Sequence, residues 1–367
     1  MLGELAVLYL FLGGAGAGCV AACALADLLW LREPFGADGH GPELPADPDR
    51  RAVALGFATG LAALAAGVAC LGFDLGRIDR VLALFLTPQL TVMTVGAWSL
   101  VALVAVALVL AAVRFLYLPQ VGRPVVAVLE VAAVVLGVVV MAYTGLLLQG
   151  LHGFALWRSL WLPALFALSS ASSGAALLML CAAWASEGAG PSALMETLAR
   201  VDAVVIVAEA VVAALFVGMA AVGDHPSAAA SAWSLLDGPL AAAWWLGFCA
   251  VGLALPLAAE AACLLGGPRA GAVWERWPQL PVIAAAAVLA GAVCLRWAVV
   301  DAGMQRPLEL QEPDAVLTLG DDAGTGREDA ALAALDDRIA QALRADAPHA
   351  PGWAADEREG LIAIWSS

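Results

Sequence analysis

From Leu5 to Leu31 a single charge, Asp27, interrupts about 27 apolar residues, and seven more runs of the same character follow along the chain. Segments like these fold as bilayer-crossing helices. Lipid offers no partner to a backbone N–H or C=O, and a helix satisfies both within the segment itself. The runs lie at about residues 5 to 31, 52 to 73, 91 to 117, 124 to 148, 159 to 184, 198 to 222, 240 to 265 and 280 to 300. A length of 367 residues would usually mean two soluble domains, but 63% hydrophobic and 13% charged residues, with a mean hydropathy of +0.90, exclude that reading. The expected fold class is all-α: a polytopic membrane protein of eight transmembrane helices with a short acidic C-terminal extension.

The first run contains YLFLGGAGAGC, in which Gly16, Gly18 and Ala21 satisfy the dinucleotide fingerprint G-x-G-x-x-A. That fingerprint works only as a turn between a strand and a helix. Here the glycines stand inside a spanning run, where their use is to let a neighbouring backbone come close. Neither phosphate nor nucleic acid is expected as a partner. No basic n-region precedes the run and no small-residue cleavage pattern follows it, so it reads as a retained helix rather than a signal peptide.

All 17 basic residues are arginines, and their distribution over the loops is uneven. The odd-numbered loops carry Arg32, Arg50, Arg51, Arg114, Arg123, Arg200, Arg269 and Arg276; the even-numbered ones carry Arg77, Arg80 and Arg158. The positive-inside rule then places the odd loops in the cytoplasm and both termini on the outer side of the cell membrane. From Asp301 onward the chain changes character, with 14 acidic residues against five arginines. The domain reading is a membrane domain over 1–304 and an acidic extramembrane tail over 305–367. Within the tail, Leu332, Leu335, Ile339 and Leu343 share one face of a short amphipathic helix, so the tail is either a solvated extension or a helix that docks on a partner.

The seven cysteines all fall within apolar runs and form no C-x-x-C pair, which reads as small buried residues. Cys19 and Cys23 lie one turn apart, but no third soft ligand accompanies them. The four histidines lie outside the long apolar runs, so no imidazole is placed to bind a haem within the membrane. The chain is expected to carry no haem, iron–sulfur cluster or other metal of its own.

Polar groups inside spans are costly and therefore raise a functional question. Helix direction alternates, so Tyr9, Asp74, Arg77, Thr94, Trp98 and Tyr143 share one membrane level and make a candidate pocket rim. The Tyr143 phenol can hydrogen-bond the carbonyl of a flat ring or belong to the interfacial aromatic belt. Asp74 and Arg77 can pair with each other or take part in proton transfer to a ligand. Deeper, or towards the cytoplasm, are Asp27, Glu130, Asp202, Glu209 and Glu260. An isolated carboxyl such as Glu209 in mid-helix must be protonated or paired. Glu130 precedes Tyr143 by 13 residues, about 20 Å of helix, so the two can bracket a proton route; hydrogen bonding to neighbouring helices is the alternative.

Taken in order, YLFLGGAGAG, FDLGRIDR, GAWSL, AYTGLLL, LPALFALSSASSGAALL, RVDAVVIVAEA and LRWAVVDAG resemble the NrfD/polysulfide-reductase (PsrC-like) membrane-subunit family over about residues 4 to 305. The resemblance implies a membrane anchor that exchanges electrons between a quinone pool, menaquinone or ubiquinone, and a four-cluster ferredoxin-like iron–sulfur subunit, which in turn serves a molybdopterin catalytic subunit. It implies a quinone pocket at one membrane face with Tyr143 as a ligand, joined here by Tyr9, Asp74, Arg77 and Trp98, and proton transfer through Glu130, Glu209 and Asp202. Some members supply histidine and asparagine to the quinone from the first helix; this chain has neither there, and Tyr9 is its nearest polar candidate. The chain alone would be non-catalytic. The alternative class is a small-solute or proton carrier, which would usually show an internal repeat with matched broken spans; neither is evident.

Overall fold

The computed structural model describes residues 4–30, 47–75, 92–115, 121–150, 154–186, 192–223, 225–265 and 279–304. Among these, eight helices are long and apolar enough to cross a membrane. They are α1 (Glu4–Leu29), α2 (Pro48–Leu75), α3 (Val92–Phe115), α4 (Arg123–Gln149), α5 (Trp161–Ala185), α6 (Ala193–Val222), a π-helical stretch (Ala243–Ala254) that continues as α8 (Leu255–Leu265), and α9 (Leu280–Met304). Between α6 and the π stretch lies the short α7 (Pro226–Leu236), and a 3-10 turn (Leu156–Arg158) leads into α5. The eight spans coincide with the eight apolar runs; α7 and the π stretch were not legible in them. The tail helix expected around Leu332 lies outside the described residues.

Successive spans run in opposite directions. One end of the bundle, here the proximal end, holds the start of α1 and the close of α4; the distal end holds the close of α1 and the start of α4. The centre is α1, which packs on α2, α4, α5 and α9. Of its spanning window 72% is buried, against 28% for α6 at the periphery. Its glycines explain this position. Gly16 lies against Gly60 and Leu64 of α2, and Gly18 against Ser170 and Gly174 of α5; a Cβ at Gly18 or Gly174 would overlap the opposing backbone. An apolar side chain gains little by leaving lipid for an apolar core, so close backbone approach supplies the packing that hydrophobicity cannot.

The outer helices sort their residues by size and polarity. On α4 the exposed face carries Val128, Val131, Val135 and Val138, whereas Glu130, Ala133, Gly137 and Thr144 face inward. On α6 Val204, Val207 and Val211 are exposed, and Asp202, Ile206, Glu209 and Ala213 are buried. Local signals set the starts: Pro124 opens α4, where a missing N–H goes unfelt, and the Ser192 side chain caps α6 by accepting from the Met195 N–H at 3.3 Å. The 3-10 turn is pinned by Trp157, fully buried, whose Nε1 donates to the Val299 carbonyl at 3.1 Å over the Cβ-less face of Gly303.

Candidate functional site

At the proximal end the structure joins Tyr9 of α1 to Tyr143 of α4. The two phenols are neighbours, and both residues are buried, with 4% and 6% of their surface exposed. Gly96 of α3 makes this possible: the Tyr143 ring lies flat against it, where any Cβ would overlap the ring. Gly13, one turn along α1, flanks the Tyr9 ring, where a Cβ would make only ordinary contact. Gly145 lets the end of α4 lie on Pro163 of α5, and the Thr144 hydroxyl donates to the Met141 carbonyl at 2.7 Å. Two paired phenols hold two O–H groups. Either can donate to an acceptor placed beside the pair.

The other expected rim residues stand as follows. Thr94 is buried on α3. Trp98 is 53% exposed and sits two residues from Gly96, on the opposite side of the helix. Asp74 ends α2 at the same end of the bundle, without a described side chain, and Arg77 lies outside the described residues.

Toward mid-bundle lies a residue not singled out from the sequence, Arg296 of α9, with no exposed surface. Its Nε donates to the Leu10 carbonyl at 3.2 Å, Nη1 to Ser169 Oγ at 3.2 Å and to the Ala292 carbonyl at 3.0 Å, and Nη2 to Ser170 Oγ at 2.8 Å. The guanidinium also lies over Phe166 and Phe11, at 5.4 and 5.7 Å from the ring centroids. Gly14 of α1 faces it; a side chain there would meet the Ser170 hydroxyl and Arg296 Nη2. Glu209 of α6 is close enough to Arg296 to interact electrostatically and lies beside Ser169, without a direct ion pair to the arginine. The signal was present in LRWAVV: a lone arginine inside an apolar span faces the interior and finds partners there.

Two further polar groups occupy the distal half. Asp27 of α1 and Glu130 of α4, both fully buried, meet Arg114 of α3 and Arg123 of α4. Arg114 pairs with Asp27 and with Glu130 at 3.0 Å, and Arg123 reaches the same two carboxylates at 3.1 and 3.3 Å. Phe57 of α2 supports Arg114, 5.7 Å from its ring centroid. This quartet of two cations and two carboxylates ties α1, α3 and α4 together, at the opposite end of α4 from Tyr143. Second, Asp202 of α6 and Glu260 of α8 are neighbours, with Ser172 of α5 beside Asp202. Between these groups the core holds thiols: Cys19 donates to the Gly56 carbonyl at 3.3 Å, and Cys181 lies 3.5 Å from the Thr59 hydroxyl. Among the described residues no group of three or more His, Cys, Asp or Glu is disposed to hold a metal ion.

An antiparallel bundle of eight spans, with a phenol pair at one end and buried ionisable side chains in its interior, defines a multi-pass membrane protein with polar chemistry inside the membrane. The chain belongs to the NrfD family: the family model described as polysulphide reductase, NrfD, matches residues 2–307. That family provides membrane subunits of molybdopterin oxidoreductase complexes. A search among characterised proteins finds no match to the chain.

Proposed function

We propose that this chain is the quinone-reactive membrane subunit of a molybdopterin oxidoreductase complex, passing electrons between the quinone pool and an iron–sulfur subunit that docks at the proximal end. The observation that carries the reading is the buried Tyr9–Tyr143 pair seated on Gly96. Its donor set suits a quinone carbonyl: a phenol O–H with no competing acceptor charge, held rigid by a ring that has no room to turn. When bound, a quinone would supply the two-electron, two-proton chemistry. The chain's part is to bind and orient the ring through Tyr143, with Tyr9 fixing the direction of the Tyr143 hydroxyl. Asp74 and Arg77 complete the proposed rim at the same level, while Trp98 shares that level on the outward side of α3.

Proton transfer accompanies electron transfer in this reading, through Glu130 in the distal quartet and through Asp202 and Glu209 on the inner face of α6. All three are buried in spans where a carboxyl is otherwise costly. No haem or iron–sulfur centre is assigned to the chain itself.

Tyr143→Phe tests the proposal, since it keeps the ring on Gly96 and deletes the hydroxyl. One hydrogen bond to a neutral acceptor contributes about 0.5 to 1.5 kcal/mol, so quinone affinity should fall about threefold to tenfold. Turnover of the whole complex with quinone is compared with turnover driven by a dye that reacts directly with the iron–sulfur subunit. Quinone-linked activity should drop and dye-linked activity persist. Unchanged quinone-linked activity would remove Tyr143 as a ligand and with it the basis of the reading.

A further inference from the structure

The atoms that Arg296 binds belong to three different helices. Its Nε–H donates to the Leu10 carbonyl of α1 at 3.2 Å, while its Nη atoms donate to Ser169 and Ser170 of α5 and to the Ala292 carbonyl of α9 itself. Leu10 is the residue after Tyr9. Within α1 the Leu10 carbonyl already accepts from the Gly14 N–H, so Arg296 takes its second lone pair. Gly14 also clears the way: a Cβ there would collide with Ser170 Oγ and crowd Arg296 Nη2 at 3.1 Å. Residues 9 and 13 thus share one face of α1, beside the phenol pair, and residues 10 and 14 share the next, about 100° round, against Arg296.

That turn of α1 is otherwise soft. Gly13, Gly14 and Gly16 follow Tyr9 closely, and glycine weakens a helix interior because it has the most backbone freedom to lose. A Cβ at Gly13 would touch the Tyr9 ring alone, so the ring is not wedged from that side and its place depends on the backbone that carries it. We propose that Arg296 is a positioning residue for the phenol pair: its three nitrogens lock the Tyr9–Gly14 turn to α5 and α9, and so fix where the Tyr9 ring meets Tyr143. The proposal rests on the quinone reading for what the pair does; the bracing of Tyr9 stands without it.

The brace needs a guanidinium and not merely a positive charge. A rigid planar fork can point at α1, α5 and its own helix at once, and here Phe166 and Phe11 flank it at 5.4 and 5.7 Å from their centroids. A lysine ammonium is one nitrogen on a flexible stem. Arg296→Lys therefore keeps the charge but cannot hold the Leu10 carbonyl and both serines together.

The tyrosines themselves report on the brace. The chain has three, Tyr9, Tyr117 and Tyr143, so the full-length protein grown with meta-fluorotyrosine gives three fluorine resonances, each assigned by its phenylalanine variant. Arg296→Lys should move the Tyr9 and Tyr143 resonances and leave that of Tyr117, which follows α3 in the chain. An unmoved Tyr9 resonance overturns the brace, and so does an equal shift of all three, the mark of general loosening. Ser169→Ala with Ser170→Ala releases the fork from α5 without crowding the core, and should move the same two resonances by less; if it moves neither, the brace is wrong even where Arg296→Lys fails to fold. In the intact complex, Arg296→Lys should raise KM for quinone about threefold to tenfold with kcat kept, and add nothing in a Tyr9→Phe background. A full further rise there overturns the route through Tyr9. If Tyr143→Phe leaves quinone turnover unchanged while Arg296→Lys still moves the Tyr9 resonance, the quinone reading fails and the brace stands.

Discussion

Arg296 shows how one side chain is kept charged, and in place, inside a membrane helix. Four of its five N–H donors meet two backbone carbonyls and two serine hydroxyls, and two phenyl rings flank the guanidinium. Arg296→Met preserves length and apolar packing but leaves Glu209 without its nearby positive charge. The variant also leaves two buried carbonyls and two serine hydroxyls without their donor, so it should lose its thermal transition at a clearly lower temperature in detergent. Arg296→Met with Glu209→Gln should recover part of that loss, because the uncompensated carboxylate is gone. Identical melting of the single and double variants would show that the two residues are not coupled.

At the scale of the element, small residues decide which helices touch and where a functional ring sits. Gly96 is a plain case, since α3 would be at least as good a helix with alanine there. A methyl group at that position would overlap the Tyr143 ring and push the phenol out of line. Gly96→Ala should therefore lower quinone-linked turnover about as much as Tyr143→Phe or more, with dye-linked turnover kept, at an overpacking cost of about 1 to 3 kcal/mol. Loss of both activities, with failure to assemble, would instead make Gly96 a packing residue alone. The π stretch Ala243–Ala254 is the second such feature: Gly252 meets Gly291 of α9, and Gly247 meets Cys294. A side chain at either glycine would prevent that approach, on the segment that leads directly into the helix bearing Glu260.

For the molecule as a whole, orientation in the membrane fixes which solution the proximal end, with Tyr9 and Tyr143, faces. We propose that the distal end faces the cytoplasm, on the sequence reading of eight arginines on the odd loops against three on the even ones; two of the eight, Arg114 and Arg123, lie in α3 and α4 and pair with Asp27 and Glu130. A cysteine introduced as Ser366→Cys should then react with an impermeant thiol reagent in intact cells, above the level of the unsubstituted chain. Reaction only after lysis would reverse the orientation and place the iron–sulfur partner on the cytoplasmic side.

Spans, their number and the level at which Tyr9 and Tyr143 meet were all legible in the amino-acid order, because length and polarity alone determine what can cross lipid and alternation of direction does the rest. So was the use of Gly16 and Gly18 in close backbone approach, once their run was recognised as a helix interior. Faces were not legible. In a soluble helix the polar side marks solvent, but in lipid both sides of α4 and α6 are apolar, and the valine stripe that meets the bilayer reads much like the core. Hence Trp98, at the right depth, turned out to stand on the side of α3 away from Gly96. Pairings between distant helices were hidden for the same reason: nothing in the order of residues says that Asp27 and Glu130 will share two arginines, that Asp202 will meet Glu260, or that Arg296 will find Leu10 and Ser170. Those partners are set by which small residues allow which backbones to approach, a property of the packed bundle and of no single helix.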